Sequence, residues 1–582
     1  MRHTAHKQRP SSILPLLALL LVASPAPGSG MNPFGQQPAD DEDKPARKLT
    51  ASQSALIDKA IAQEKVITRS VRDRAPLVET YTQFMKPDPV LGLIPSSDEH
   101  SLARVNFDKI VSGNSYNVSA PASTGNKLGF FRQLSSIITG LTHHQSAFIR
   151  MLLMDYTSFD REHYSFGYVR NDFLGNTPTA VFDVTPFSKN DKDRFFGRIW
   201  VETKNGNVVR FTGDFTSVEQ ESPEHYRFDG WRTNVQPNLW LPTSLYVEES
   251  DPNGPSYVLK FKSISHAWGY VLKASPSRPQ NTSMGVAANK GAGKTAEDAG
   301  SLDAQRTKPD TLEDTVIERL SQAGLLDAPS EFDKTLEDLV NNILVYNNIT
   351  LPRPIRCRTL LTVPLESTAI GNTIIISKGL LDTTGVQTES GMQQMGNLSA
   401  LLAFQIAHII LAHRIDTKPA FNDHLLFPST SVYKRIPLHH TAADNAAAAR
   451  KALQLLSVKE LTGGQQYFGL YLEQLQQRVK ALKALNEPMI GDGLVKSDND
   501  STFWMAEMMT RGPRLEINNL QQRAAMPLSS FLRFDPWTDQ LMVMHTAFEP
   551  LLTPADKMPF EVEPVYFKLS YYVPSKTPAV AP

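Results

Sequence analysis

The stretch that decides the fold of the first half is Phe196-Gly197-Arg198-Ile199-Trp200-Val201-Glu202-Thr203-Lys204-Asn205-Gly206-Asn207-Val208-Val209-Arg210-Phe211. Two runs rich in β-branched and aromatic residues flank Asn-Gly, the favoured centre of a tight hairpin turn because both central positions need positive φ. The pattern predicts a hairpin over 198–211. Working outward, period-two alternation predicts further strands at Thr179–Thr185, His225–Thr233, Trp240–Glu248 and Tyr257–Ser265, and it begins near Tyr164. Upstream, Ala51 to Ala75 has helical apolar spacing and Leu128 to Leu153 helical or mixed spacing. The expected unit is helix plus curved antiparallel β-sheet over residues 51–274.

With 582 residues and 41% hydrophobic content, the chain exceeds what one core usually organises. Lys plus Arg (59) and Asp plus Glu (60) nearly cancel, so no overall field favours nucleic acid or anionic lipid. Cys357 has no cysteine to pair with and reads as a buried structural thiol. At the N-terminus, Arg2, His3, Lys7 and Arg9 precede the apolar run Ile13–Ala23, followed by small and turn-forming residues to Gly30. That order predicts a signal peptide over residues 1–30 and a periplasmic or otherwise extracytoplasmic destination. Residues 31–50 have disordered composition, and 275–312 have that of a flexible linker. Gly291-Ala292-Gly293-Lys294-Thr295 in this linker is reminiscent of a phosphate loop, but Ala288 stands where the first glycine is required. No later stretch is long and apolar enough for a transmembrane segment, Leu398–His413 being short and interrupted by Gln405 and His408.

The run Phe196 to Val201, with Val209-Arg210-Phe211, Trp231-Arg232 and Leu239-Trp240-Leu241-Pro242, resembles the curved sheets of LolA-like outer-membrane lipoprotein-sorting proteins. This resemblance covers about 150–275 and implies a concavity able to hold a lipid or an apolar peptide. Taken singly, Trp200, Trp231, Trp240 and Trp268 read as core and rim aromatics.

Residues 313–575 form the second unit, expected to be mainly helical with a C-terminal cap. Ile374 to Asp382 reads as a buried strand entering a turn, and Asn397 to Arg414 as a helix. Together with Ser367 to Asn372, they resemble HtpX-like and Ste-type zinc metallopeptidases over about Leu365–Leu485, which implies a zincin-like fold. In that family a helix presents His-Glu-x-x-His to zinc. Residues four apart on a helix lie within about 40° of each other, so two such histidines share the ion while the glutamate activates water. Here the matching run is Phe404-Gln405-Ile406-Ala407-His408. Phe404 takes the place of a ligand and has no lone pair; Gln405 takes that of the general base and is an amide. A five-residue offset on a continuous helix sets His413 about 140° from His408, which argues against a shared ion.

The resemblance further implies a glutamate ligand heading a Glu-x-x-Ala-Asp run, and His440-Thr441-Ala442-Ala443-Asp444 matches it. His408 and His440, with His439 beside them, are therefore the residual metal ligands, and zinc is expected to be weak or absent. Asp444 reads as a support for the helix start. The stripe Tyr467, Phe468, Leu470, Tyr471, Leu475, Val479 and Leu482 reads as helical core.

The leading expectation is an exported envelope protein with an inactive metallopeptidase-like domain, acting in binding of peptide or protein clients or in envelope quality control. Extended peptide would lie against Thr373–Ser377. A working zinc endopeptidase with non-standard ligands, and a lipid or lipoprotein carrier acting through the β unit, are the alternatives.

Overall fold

The computed structural model describes residues 49–88, 92–107, 111–115, 148–188, 194–216, 226–250, 259–272, 313–321, 324–384, 392–415, 438–497, 500–514, 532–534, 541–543, 547–548, 562 and 564–573. The signal peptide, the 31–48 segment and the linker with its glycine-rich run fall outside them, as do residues 128–147 of the second expected helix. Among the described residues no helix is long and apolar enough to cross a membrane.

Helix α1, Ala51–Arg72, starts at a capping box: Gln53 N–H donates to Thr50 Oγ1, and the Thr50 N–H donates to Gln53 Oε1. Its Ile57, Ala60, Ile61, Ile67 and Val71 recur at spacings of three, four and six, forming one buried face.

That face packs on a ten-stranded antiparallel sheet made of β1 (Arg74–Asp88), β2 (Gly92–Phe107), β3 (Val111–Ser115), β4 (Tyr164–Leu174), β5 (Thr177–Pro186), β6 (Phe195–Glu202), β7 (Val208–Phe215), β8 (Tyr226–Gln236), β9 (Leu239–Ser250) and β10 (Leu259–Leu272). The order is β3-β2-β1-β10-β9-β8-β7-β6-β5-β4. β5 to β10 realise the strands read from alternation; β1 to β3 were not foreseen. In β1 the buried set includes Glu79, Thr80, Thr82 and Gln83 beside Leu77, Val78 and Tyr81. A central strand covered on both faces shows no polar and apolar alternation to read.

The β6–β7 hairpin forms, but only Gly206 of the Asn-Gly pair has positive φ (82°). Glu202 instead organises the connection, its carboxylate accepting from the N–H groups of Lys204 and Asn205. At Gly206 a side chain would collide with Lys59 of α1, its Cβ falling 2.5 Å from that of the lysine.

Where α1 meets the sheet, the Arg232 guanidinium makes a two-pronged pair with the Glu64 carboxylate at 2.5 and 2.9 Å, both side chains buried. Around them Phe182, Phe195, Phe211 and Phe228 fill this face. On the opposite face Trp200, Trp231 and Trp240 pack with Phe567 and Leu569 from the C-terminal segment, so these tryptophans are core residues.

Among its described residues the second half is mainly helical, as expected, with a four-stranded sheet and short two-stranded pairs added. Helix α2 (Glu331–Tyr346) leads to β11 (Arg356–Leu360), β12 (Glu366–Ile370) and β13 (Thr373–Ser377), followed by α3 (Lys378–Thr384), α4 (Met392–Ile410), α5 (Ala442–Leu455), α6 (Gln465–Arg478) and the two-residue β14 (Asp492–Gly493). The sheet order is β11-β13-β12-β14, with β11 parallel to β13. One buried cluster runs from these elements into Leu77, Tyr81, Leu102, Tyr246, Ile264 and Trp268 of the large sheet. Asp98 of β2 fixes the contact by accepting from the N–H groups of Ala484 and Leu485, each at 2.8 Å. Cys357 is buried, and burial pushes its thiol up.

Candidate metal centre

β13 consists of five buried residues, Thr-Ile-Ile-Ile-Ser, and is flanked by β11 and β12. It is thus an interior strand whose edges are both taken, and extended peptide cannot add to it as the sequence suggested. Gly379 follows because the chain grazes its neighbour there: a Cβ would fall 1.8 Å from the Val363 carbonyl oxygen.

Helix α4 then carries Phe404, Gln405 and His408, all buried. The Phe404 ring stands edge-on to the His408 ring, centroids 5.1 Å apart. Gln405 does not reach for a metal with its amide nitrogen; Nε2 donates to Ser367 Oγ of β12 at 2.8 Å, and its Oε1 is buried without a partner.

His440 precedes α5, whose N-cap is Thr441. Its ring lies against that of His408, centroids 3.8 Å apart and planes tilted by 32°. Burial, with the neighbouring His440 adding to it, holds His408 neutral, its pKa pushed down to about 3. His439, the third histidine offered by the sequence, is exposed.

Asp492 of β14 completes the group. Its register partner is Ser367, the residue that holds Gln405. Oδ2 accepts from His440 Nδ1 at 2.6 Å, and Oδ1 accepts from the His440 N–H at 2.7 Å and from Asn445 Nδ2 at 3.2 Å. The segment before Asp492 is itself clamped. Glu366, fully buried, accepts through one oxygen from the N–H groups of Met489, Ile490 and Gly491, and through the other from Thr362 Oγ1.

His413 departs from the geometry of a continuous helix. α4 ends at Ile410, and Ala412 adopts positive φ (54°). The Ala412 N–H then bonds Ile409 O while the His413 N–H bonds His408 O, the paired bonds of a Schellman turn. The chain doubles back, so that His413 Nδ1 lies 3.0 Å from His408 Nδ1 rather than on the far side of the helix. Beyond it, His413 Nε2 is 3.6 Å from Asp444 Oδ1. Asp444 also serves the helix start, as the sequence suggested, through Thr441 Oγ1 at 2.7 Å.

Ligand atoms of His408, His440 and Asp492 lie within 4.8 Å of one another, and the three could hold a metal. The Nε2 atoms of both histidines are buried and without a hydrogen-bond partner, which suits imidazole coordination of zinc. Asp492 fits best as the orienting carboxylate of His440, the outer-partner arrangement usual for metal-bound histidine. None of these groups reproduces a glutamate beside the ion. Sequence reasoning named His408, His440, Phe404 and Gln405 but missed Asp492, which no local pattern marks.

No family model and no curated protein sequence matches the chain. Among solved structures, a DUF1329 family protein from Desulfovibrio piger aligns at 10% identity and a TM-score of 0.21, covering 39% of this chain and 96% of its own. The MucA/MucB complex of Pseudomonas aeruginosa aligns at 8% identity and a TM-score of 0.13, covering 36% of this chain and 93% of the other. Both lie over the N-terminal part, and likenesses this weak carry no argument about function. Nothing in these comparisons supports a metallopeptidase assignment for the second half.

Proposed function

We propose that this chain is a non-catalytic binding protein of the cell envelope, in which a metallopeptidase-like frame has been kept for holding rather than cutting protein clients. The observation that carries the reading is the fixed amide of Gln405 on Ser367, at the position where peptide hydrolysis would need a carboxylate. An amide cannot take a proton from water near neutral pH, and loss of a general base typically lowers rate by about a hundredfold to ten-thousandfold. Phe404 beside it removes a ligand as well. A divalent ion, when bound, would sit on His408 and His440 and supply a fixed positive charge joining α4 to the start of α5.

For the β half to act as a lipid or lipoprotein carrier, α1 would have to leave the face it fills and Arg232 would have to part from Glu64. The carrier reading stands as the alternative, with that rearrangement as its requirement. The test is a peptidase assay on zinc-loaded protein beside capture of unfolded envelope polypeptides. Binding without cleavage is expected; turnover that is lost in His408→Ala would overturn the reading.

A further inference from the structure

Two buried imidazole lone pairs stand without a partner, and hydrogen bonding explains why. The contact between His408 Nδ1 and His413 Nδ1 at 3.0 Å needs one hydrogen between two ring nitrogens. If His413 supplied it, the bare His413 Nε2 would face the Asp444 carboxylate, a lone pair against a negative charge. If His408 supplies it, His413 Nε2 carries a hydrogen toward Asp444 and both contacts are attractive. The second arrangement leaves His408 Nε2 bare. His440 reaches the same state separately: its Nδ1–H is taken by Asp492, and its Nε2 is bare. Both nitrogens are buried without a hydrogen-bond partner, Asn445 being a further polar side chain against His408, and the ring centroids are 3.8 Å apart with the planes tilted by 32°. Two buried, unpaired imidazole nitrogens on neighbouring rings are the donor set a divalent cation would satisfy.

We propose that His413 and Asp444 are positioning residues for a two-imidazole divalent-cation site, fixing His408 in the tautomer whose Nε2 faces the ion as Asp492 does for His440. This rests on the metal-holding part of the reading above, and it adds a relay from Asp444 through His413 to His408 on one side and from Asp492 to His440 on the other. The Schellman turn at Ala412 is what delivers His413 to this role. A structural imidazole site with outer carboxylates suits zinc, for which cobalt is a visible substitute.

The full-length protein, stripped with chelator, is titrated with cobalt(II) while visible absorption is recorded, and zinc then displaces the cobalt. One equivalent is expected to bind, and His440→Ala is expected to abolish the spectrum. His413→Ala should weaken cobalt roughly 10–100-fold and change the band shape. His413→Gln, whose amide oxygen can accept from His408 Nδ1–H, should recover most of the affinity, and Asp444→Asn should weaken binding by less than His413→Ala does. Near-UV circular dichroism reports whether each variant keeps its tertiary packing.

If the parent protein binds neither cobalt nor zinc, the metal reading itself fails and a proton shared between the rings takes the cation's place. If the parent binds and His440→Ala does not, while His413→Ala and Asp444→Asn bind like the parent, the metal site stands and the positioning role is overturned. A His413→Ala variant that has lost its fold leaves the decision to His413→Gln and Asp444→Asn: unchanged affinity in both overturns the proposal.

Discussion

Replacing Glu366 tests how the segment carrying Asp492 is held. One Glu366 oxygen accepts from three successive backbone N–H groups at 2.8, 2.7 and 2.9 Å. Glu366→Ala removes that acceptor, leaving the Ile490 and Gly491 donors buried and the Met489 donor partly so. An orphaned buried donor costs about 1–3 kcal/mol, so local opening of 489–491 should become easier by about 4 kcal/mol. Since each 1.4 kcal/mol is a factor of ten, exchange of these amides should accelerate by about a thousandfold. Glu366→Gln keeps an oxygen for the three donors and turns its amine toward Thr362, whose hydroxyl can accept. It forfeits charge assistance only, about 1–2 kcal/mol, or roughly tenfold. Native-state hydrogen exchange read by mass spectrometry on a peptide spanning 486–493 separates the two, with a peptide from β8 as the global control. Equal exchange in both variants, or Glu366→Ala within twofold of the parent, would refute the clamp. Acceleration across β8 to the same degree would show global rather than local loss.

Arg232→Met leaves Glu64 buried and unpaired and should destabilise by about 3–5 kcal/mol, while adding Glu64→Leu should return most of it; denaturant midpoints from tryptophan fluorescence are the readout. Ala412→Gly relieves a left-handed residue at the end of α4 and should raise stability by about 1 kcal/mol in the same assay, with cobalt affinity unchanged. Burial raises the pKa of Asp98 to about 6 against hydrogen bonds that lower it. Its contribution to stability is therefore full below the unfolded value near 4 and is lost as pH rises through about 6. Asp98→Asn should flatten that part of the pH dependence of unfolding between pH 4 and 6, and an unchanged slope would count against it. Gln405→Glu alone should not give peptide cleavage, whereas Phe404→His with Gln405→Glu should tighten zinc binding, measured by competition with a chromogenic chelator.

The later strands of the large sheet were legible from the alternation and the β-branched and aromatic content of their sequences, although β8 to β10 are buried nearly throughout, and the hairpin because Asn205-Gly206 punctuates it. β1 was not legible, since packing on both faces lets Glu79 and Gln83 sit where alternation expects aliphatic residues. Within the site, His408 and His440 came from motif spacing on α4 and before α5. Asp492 comes from a two-residue strand with no periodicity of its own, and its placement depends on Glu366, far away in sequence. His413 was set aside by an angle that holds only on an unbroken helix; an alanine in the left-handed region, where glycine is usual, broke it.

The pairing of β1 with β10 joins residues as distant as Arg74 and Leu272, and it lies in the interior of the ten-strand order. A growing or translocating chain therefore presents β1 to β3 long before the strand that completes them exists. During that interval the inner edge of β1 is an open template for any passing strand, and loop closure of about 200 residues must precede its protection. In the envelope setting proposed above, the vulnerable period would fall during passage and release, so folding yield should depend on holding factors more steeply than the stability of the finished sheet suggests.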